Sequence, residues 1–397
     1  MELSPVERER LLMLLAAATF VIFFQAYMIA PVIPQLALSF RTSVETTGFV
    51  VPAYLIPYGI ATLLYGILAD RLGIRRVMIF SLIAFIVLSA LTVTAQSINT
   101  MAVWRALTGL GASGVVPMAL VLVGSLYPYE MRGRPLGWIF GAMAGGMAFG
   151  SSLGAFLEPF IGWRGLFLSI SATGAVVLLI LSRSEQGIDA VKPGTSVSPG
   201  KLVGAYRTLL MTPRGSRTYG YVFINSIFHS GVFTWLGVYF EQRYQLGAIG
   251  VGLALLGYGV PGFLFGPFIG RLADRYGRGR ILPMGLFISA LSAAGLIWDC
   301  PLPVTMLLIM LLSLGYDMTQ PLLGGIVTAL GGQTPGQAMG LNVFMLFVGF
   351  GIGSLLFGWF LHFGFGIALA LFTIVQVLAA FTALRLFHAE RPNMVIT

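Results

Sequence analysis

The chain has 397 residues, of which 57% are hydrophobic and 9% charged, with a formal net charge of +9. Soluble domains carry about 25% charged residues, so composition excludes a water-soluble protein. A single cysteine, Cys300, excludes an internal disulfide, and 51 glycines fit close helix packing in lipid better than flexible linkers.

Apolar runs bounded by turn signals predict an all-α membrane protein with 12 transmembrane helices. The first six spans fall near 11–38, 46–69, 76–97, 100–126, 134–158 and 165–183. The second six fall near 218–242, 249–272, 280–299, 302–330, 336–362 and 364–387. The first run is too long for the apolar core of a signal peptide, so it reads as a retained helix. Residues 184–217 form one long hydrophilic segment rich in Gly, Pro, Ser and Thr. It reads as a cytoplasmic linker between an N-terminal half, 1–183, and a C-terminal half, 218–397. Within it Leu202, Tyr206, Leu209 and Leu210 share a helical face beside Lys201 and Arg207. That pattern suggests an amphipathic helix on the membrane surface, with a loosely ordered linker as the alternative.

Placing the N-terminus in the cytoplasm puts 19 of the 23 Lys and Arg residues on that side; Arg41, Arg164 and Arg243 lie outside and Arg105 within a span. This positive-inside asymmetry predicts a multi-pass protein of the cell (inner) membrane with both termini cytoplasmic. The basic balance, with a sequence pI near 9.9, then reports topology and contact with the lipid bilayer. No nucleic-acid partner is expected, and the chain is read as a monomer.

The segment Gly66–Arg76, GILADRLGIRR, recurs 204 positions later as Gly270–Arg280, GRLADRYGRGR, with seven of eleven residues identical. The same offset relates Leu110-Gly111 and Pro117 to Leu314-Gly315 and Pro321. With a one-residue slip it relates Gly150-Ser151 and Gly154 to Gly353-Ser354 and Gly358. Two parallel six-helix repeats follow, with a site expected at their interface near mid-bilayer. Gly66, Gly73 and their counterparts permit a tight turn between two helices. Asp70 ends a helix where a neighbouring helix N-terminus would favour a carboxylate. Gly141, Gly145, Gly146, Gly150 and Gly154 form a ladder for backbone-to-backbone packing, either as ordinary helix contacts or as sliding surfaces between the halves.

An ionisable group at the centre of a span costs about 2.5–3.5 kcal/mol, so each needs an account. Asp317 is the acid clearly within a span; a carboxyl that changes protonation as a cavity alternates is what proton coupling needs. A satisfied polar residue near the cytoplasmic mouth is the alternative. His229 is centred in the seventh span with Asn225 one turn away, and the repeat offset pairs His229 with Gln25. Histidine titrates near neutrality and is the rival proton carrier, or else a hydrogen-bonded spectator. Arg105 keeps its proton, so it either biases a nearby group or bonds to helix carbonyls. Tyr27, Tyr54 and Tyr58 are candidates for an aromatic lining.

The Gly66–Arg76 loop matches G-x-L-A-D-R-x-G-x-R-R at every defined position, the signature between helices 2 and 3 of the major facilitator superfamily. Arg105-Ala-Leu-Thr-Gly109-Leu-Gly111 resembles its helix 4 signature, and Ala30-Pro31-Val-Ile-Pro34 resembles the helix 1 proline pair of its drug:proton antiporters. The chain therefore resembles the major facilitator superfamily and is closest in motif to the 12-helix drug:proton antiporter families. One departure stands out: Gly146-x-x-x-Gly150 is followed by Ser151 where the antiporter signature of helix 5 has proline.

The resemblance implies the major facilitator fold and a secondary active transporter working by alternating access. The activity expected is proton-coupled efflux of small amphipathic compounds, with protons and a small-molecule substrate as partners. A metabolite or sugar importer or facilitator of the same fold is the alternative, and a transport-inactive receptor on this fold is a third reading. The resemblance assigns a part in proton coupling to Arg105, beside Asp317 and His229 as the titratable groups read above. Substrate binding falls to Gln25, Tyr27, Tyr54, Tyr58, Asn225, His229 and Gln320. A conformational latch falls to Gly66, Asp70, Arg71, Gly73, Arg75, Arg76 and Glu130, with Gly270, Asp274, Arg275 and Gly277 in the second copy. No phosphate loop, metal-ligand spacing or nucleophile–base pair occurs in the sequence. No enzyme activity, cofactor or metal is therefore expected.

Overall fold

In a computed structural model of the chain, the residues described are 4–127, 133–183, 199–259, 261, 265, 268, 269, 272, 276–331, 335–388 and 390. They are helical throughout, and no strand occurs among them. The helices are α1 (Pro5–Tyr27), α2 (Ile33–Phe40), α3 (Val44–Gly48), α4 (Pro52–Leu72), α5 (Ile74–Thr92), α6 (Ile98–Ala112), α7 (Val115–Leu126) and α8 (Gly133–Ser182). They continue with α9 (Pro199–Met211), α10 (Pro213–Thr234), α11 (Leu236–Tyr244), α12 (Ala248–Leu255), α13 (Arg278–Gly295), α14 (Leu302–Asp317), α15 (Gln320–Leu330), α16 (Pro335–Phe360) and α17 (Phe365–Leu386). Nine helical stretches among the described residues are long and apolar enough to cross a membrane. One of them, Trp138–Ser182, covers two predicted spans, and Gly162 at φ +65° and ψ 168° breaks its helix. The figure of twelve thus remains a reading of the sequence.

Local chemistry explains the breaks. Ser4 caps α1 through a capping box: it accepts from the Glu7 amide at 3.3 Å, and the Glu7 carboxylate accepts from the Ser4 amide at 2.9 Å. Near its other end, Pro31 and Pro34 lack the N–H groups that would continue α1, so the first span bends through a short 3₁₀ turn, Ala30–Val32, into α2. Pro52 begins α4 after a similar break behind α3.

The backbone carries the repeat as plainly as the sequence does. Six described residues have positive φ: Arg41, Gly73, Gly162, Gln245, Gly277 and Gly364. They pair across the halves as Arg41 with Gln245 (φ 53° and 54°), Gly73 with Gly277 (87° and 88°), and Gly162 with Gly364 (65° and 98°). Left-handed φ is costly for residues with a Cβ, so its recurrence at matched turns shows two copies of one chain path.

Small residues set which helices approach. Within the first copy, a Cβ on Gly146 or Gly150 would stand 2.6 Å from the Phe20 carbonyl oxygen or 2.5 Å from that of Phe24 on α1. In the second copy Gly349 and Gly353 of α16 lie against Phe223 and Ile227 of α10. The glycine ladder therefore joins helices within each copy. Between the copies, Gly59 and Ile56 of α4 pack on Val348 and Gly351 of α16, and Gly252 of α12 packs on Ser152 and Phe156 of α8. These two pairs are among the close approaches between the copies.

At the end bearing the termini, α9 lays Tyr206, Leu209 and Leu210 against a cluster of Tyr219, Val327, Ala338 and Leu341. The amphipathic helix read from sequence is thus docked on the second copy; the side chain of Leu202 lies outside the described residues. Beside it, Glu390 takes both forks of Arg214 at 2.8 Å, pairs with Arg217 at 2.5 Å, and its carbonyl accepts from the Gly279 amide at 3.0 Å. One residue after the last helix thus ties α10 to the start of α13.

Two predictions follow from this packing. Gly150→Val, which drives a side chain into α1 backbone, should cost about 1–3 kcal/mol, whereas Gly141→Val, with nothing within 4 Å of its Cβ, should melt within a degree or two of the parent. Differential scanning fluorimetry in detergent reads both. For Glu390, burial works to raise the pKa, and the paired Arg214 and Arg217 outweigh it, so the carboxyl sits below the ordinary glutamate value of 4.5. A lowered folded-state pKa gives stability that is present above that ordinary value and lost as pH falls through the folded one. Melts of the parent should therefore drop more steeply below about pH 4.5 than those of Glu390→Gln, and coincident pH profiles would deny the clamp its electrostatic role.

Candidate functional site: the central cavity and its closed end

Arg105 on α6 is fully buried. An α-helix leaves its last four carbonyls without intrahelical donors. At the end of α1 the Met28 amide takes Phe24 O at 2.8 Å. Arg105 takes the next two: Nη1 donates to Gln25 O at 3.2 Å and Nη2 to Ala26 O at 3.0 Å. Its Nε donates to Val50 O at 3.1 Å, in the break before α4, and Nη1 also reaches Gln25 Oε1 at 3.1 Å. The guanidinium lies 4.5 Å from the Tyr54 ring centroid, a cation–π distance. Gln25 completes the cluster by donating to Ser89 at 3.4 Å. Of the two readings open for Arg105, this geometry matches bonding to helix carbonyls, and no described acid pairs with it.

The second copy has a polar cluster of a different kind. Asn225 of α10 donates to Thr319 at 2.8 Å and accepts from Gln376 of α17 at 3.1 Å, and Gln376 also donates to Ser289 of α13 at 3.1 Å. Asn225 is therefore occupied inside the copy.

Between the copies lies a cavity of about 70 Å³ whose walls come from α1, α8, α10, α14, α15 and α16. Its polar groups are Asp317, Ser313, Gln320, His229 and the hydroxyl-bearing rings of Tyr258 and Tyr316; the rest is Phe, Met, Leu, Pro, Ala and Gly. Ser313 donates to Asp317 Oδ2 at 3.2 Å, one helical turn away. No described Lys or Arg pairs with that carboxylate. His229 stacks on Tyr316 with ring centroids 3.6 Å apart at 17°, and the Tyr258 hydroxyl lies 2.9 Å from Nδ1 and 3.0 Å from Nε2. Met147 Sδ sits 3.4 Å from Nε2. Neither end of the Gln320 amide meets a hydrogen-bond partner in good geometry among the described residues.

Asp317, His229 and Gln320 thus share one cavity. Tyr27, Tyr54, Tyr58, Gln25 and Asn225 do not line it. Tyr27 packs edge-on to Phe233 and Phe350, and Tyr58 stacks on Phe347 at 4.0 Å, so both fill the seam between the copies. Tyr258, Tyr316, Ser313, Met147 and Phe140 are lining residues that the sequence reading missed. Two signals were available. The repeat offset of 204 pairs Tyr258 with Tyr54, and Ser313 precedes Asp317 by four residues on one helical face.

The end of the bundle away from the termini is closed. Trp235 follows α10, is 1% exposed, and donates its indole N–H to Ser354 O at 3.0 Å. Its ring fills the space that side chains on Gly48 of α3 and Gly358 of α16 would take. Beside it a Cβ on Gly237 would stand 2.5 Å from Pro31 Cα, so the broken first span and α11 meet backbone to backbone.

For the latch, Gly73 and Gly277 hold matched turns. Arg71 and Arg76 are exposed, and Arg75 donates to Ser182 O at 3.1 Å within its own copy. The side chains of Gly66 and Asp70, and residues Glu130, Gly270, Asp274 and Arg275, lie outside the described set.

An all-α bundle of two repeated copies, closed at one end and holding a cavity between them, defines the class of membrane transporters. A sequence profile of the Major Facilitator Superfamily matches residues 15–331 and again 245–396, and the chain belongs to that superfamily. It is 27% identical over 270 residues to the uncharacterized MFS-type transporter YceJ of Bacillus subtilis (strain 168), covering 68% of each chain. It is 32% identical over 142 residues to Multidrug resistance protein 3 of the same organism, covering 36% of this chain and 28% of that one. Among solved structures, a D-xylose-proton symporter superposes with a TM-score of 0.76 at 17% identity, over 94% of this chain and 96% of that one. At that identity the likeness is one of fold. The chain is a transporter and not an enzyme.

Arg105→Lys should test the carbonyl clamp. An ammonium cannot bridge three carbonyls and an amide held in fork geometry, and each buried carbonyl left unbonded costs about 1–3 kcal/mol. The variant should melt several degrees below the parent in the absence of any substrate. Unchanged melting would return Arg105 to a purely functional role.

Proposed function

We propose that this transporter exports small amphipathic compounds in exchange for protons, with Asp317 as the coupling acid. The observation that carries the reading is Asp317 itself: one carboxylate, bonded to Ser313 and to no described cation, in a cavity walled mainly by aromatic and aliphatic side chains. Such walls accept apolar bodies of varied shape, while a single acid favours at most one positive charge. Substrate and proton then compete for one carboxylate. Protonation from the far side releases cargo and permits return, and deprotonation on the near side renews binding. His229, held against Tyr258 and Tyr316, serves as a second polar contact and rival proton carrier. Gln320 offers a side-chain amide beside Asp317 in the same cavity. Arg105 becomes a positioning residue that keeps the broken first and second spans in place.

The same reading places both termini in the cytoplasm, the protein in the cell membrane as a monomer, and the two halves at 1–183 and 218–397. The Gly66–Arg76 and Gly270–Arg280 loops act as the latch when the cavity turns outward. The name of Multidrug resistance protein 3, a relative over 36% of this chain, supports efflux.

The test uses liposomes containing the purified protein and an internal pH dye, challenged with a panel of amphipathic cations, neutral amphiphiles and sugars. Amphipathic cations should move protons across the membrane, and Asp317→Asn should cut that signal at least tenfold without changing the melting temperature. Proton movement evoked by a sugar alone would replace efflux with the importer reading. Full activity in Asp317→Asn would remove the acid from the scheme.

A further inference from the structure

On the outer side of the Trp235 plug, at the end away from the termini, lies a second and larger hollow of about 330 Å³. Its size falls within the range of ligand pockets, roughly 300–1,000 Å³. Both halves of the bundle contribute: α3 and α6 from the first, α16 and the Trp235 turn from the second. Trp235 is 1% exposed and forms the floor, whereas Trp359 is 59% exposed and stands in the wall. Glu45 of α3 lines the same hollow and has neither a hydrogen bond nor an ion pair among the described residues.

The cations at this end of the molecule are placed elsewhere. Arg164 donates to Val93 O at 3.2 Å and Ala95 O at 3.3 Å, Arg243 pairs with Asp299, and Arg41 is not part of the lining. Arg105, one turn beyond Ala102 of the wall, is committed to the carbonyls described above. His362 is the remaining titratable group in the hollow; its Nδ1 lies 2.9 Å from Trp359 O. A carbonyl can only accept, so Nδ1 carries the hydrogen, and in the neutral ring Nε2 is left as an acceptor. The hollow thus combines two indoles, one unpaired carboxylate and an acceptor-rich rim.

We propose that this vestibule is a binding site for an aromatic monocation, its rings held against the exposed Trp359 above the floor at Trp235 and its charge beside Glu45. Indole faces attract cations more strongly than other aromatic rings do, and the carboxylate fixes the sign. The site stands on residues of the vestibule alone and does not depend on the transport reading. It also has a conformational consequence. The floor exists while Trp235 is seated between Gly48 and Gly358, so a ligand there favours the state in which this end is closed.

The experiment measures binding of radiolabelled tetraphenylphosphonium to the full chain in nanodiscs, with empty nanodiscs subtracted. Parallel titrations use Glu45→Gln, Trp359→Ala and Asp317→Asn, each checked to melt with the parent. Part of the binding should weaken at least fivefold in both Glu45→Gln and Trp359→Ala and persist in Asp317→Asn. Tetraphenylborate, the same shape with opposite charge, should show no Glu45-dependent binding. Parent, Glu45→Gln and Trp359→Ala curves that superimpose would overturn the proposal, as would an absence of binding to the parent or equal Glu45-dependent binding of the borate. Loss of all binding in Asp317→Asn would also overturn it, while leaving the central cavity as the cation site. Binding that responds to Glu45 and Trp359 but not to Asp317 at all would establish the vestibule and count against the transport reading.

Discussion

Every backbone carbonyl placed in lipid must find a donor within the protein, and the first two spans of this bundle are broken along their length, between α1 and α2 and between α3 and α4. Pro31, Pro34 and Pro52 mark these breaks, and at the first of them Pro31 meets Gly237 of α11 backbone to backbone where the end is closed. The same breaks leave carbonyls at Gln25, Ala26 and Val50 without the next helical turn. Arg105 answers all three from a third helix. A charged side chain costs several kcal/mol in a span, yet here it is stabilised by four donated bonds and an aromatic face. The closed end and the cavity beneath it depend on that single guanidinium holding the fractured helices in register.

The two copies share a chain path but divide the polar work. In the first, the buried polar groups bond to one another: Arg105 to Gln25, and Gln25 to Ser89. In the second, Asn225, Thr319, Gln376 and Ser289 form the structural cluster, and a different set, Asp317, His229 and Gln320, faces the space between the copies. The asymmetry follows from position. The repeat offset places Ser113 opposite Asp317 and Gln25 opposite His229, so duplication supplied the scaffold and divergence at a few positions supplied the site. The glycine ladders belong to the scaffold. They lock α1 to α8 and α10 to α16, while the copies meet at other contacts, the α4–α16 and α8–α12 seams among them.

Much of this was legible in the residues. Seven identities in an eleven-residue loop predicted two copies, and the backbone repeats its left-handed turns at Arg41 and Gln245, Gly73 and Gly277. Asp317, His229 and Gln320 were legible because a polar group in an apolar span needs a reason. The aromatic residues were less so: Tyr54 and Tyr58 have the spacing of a lining, but helical period says which residues share a face, not what that face meets. Tyr54 meets a guanidinium, Tyr58 meets Phe347, and the cavity takes Tyr258, the repeat counterpart of Tyr54, together with Tyr316. The role of Arg105 was open for the same reason, since the acceptors lie 55 to 80 residues away in sequence. Glu390 gave no signal at all, standing alone beyond the last span until the fold brings Arg214 and Arg217 beside it.

The seat of Trp235 has one more consequence. Its indole is almost wholly withdrawn from solvent and its N–H is bonded to a carbonyl, in a chain with six tryptophans. Trp298 and Trp359, by contrast, are 65% and 59% exposed. If the two copies separated at this end, the indole would lose Gly48 as a neighbour and pass from a dry, polarised niche into water. In a variant that keeps Trp235 as its one tryptophan, indole emission would then gauge that gate without any attached label.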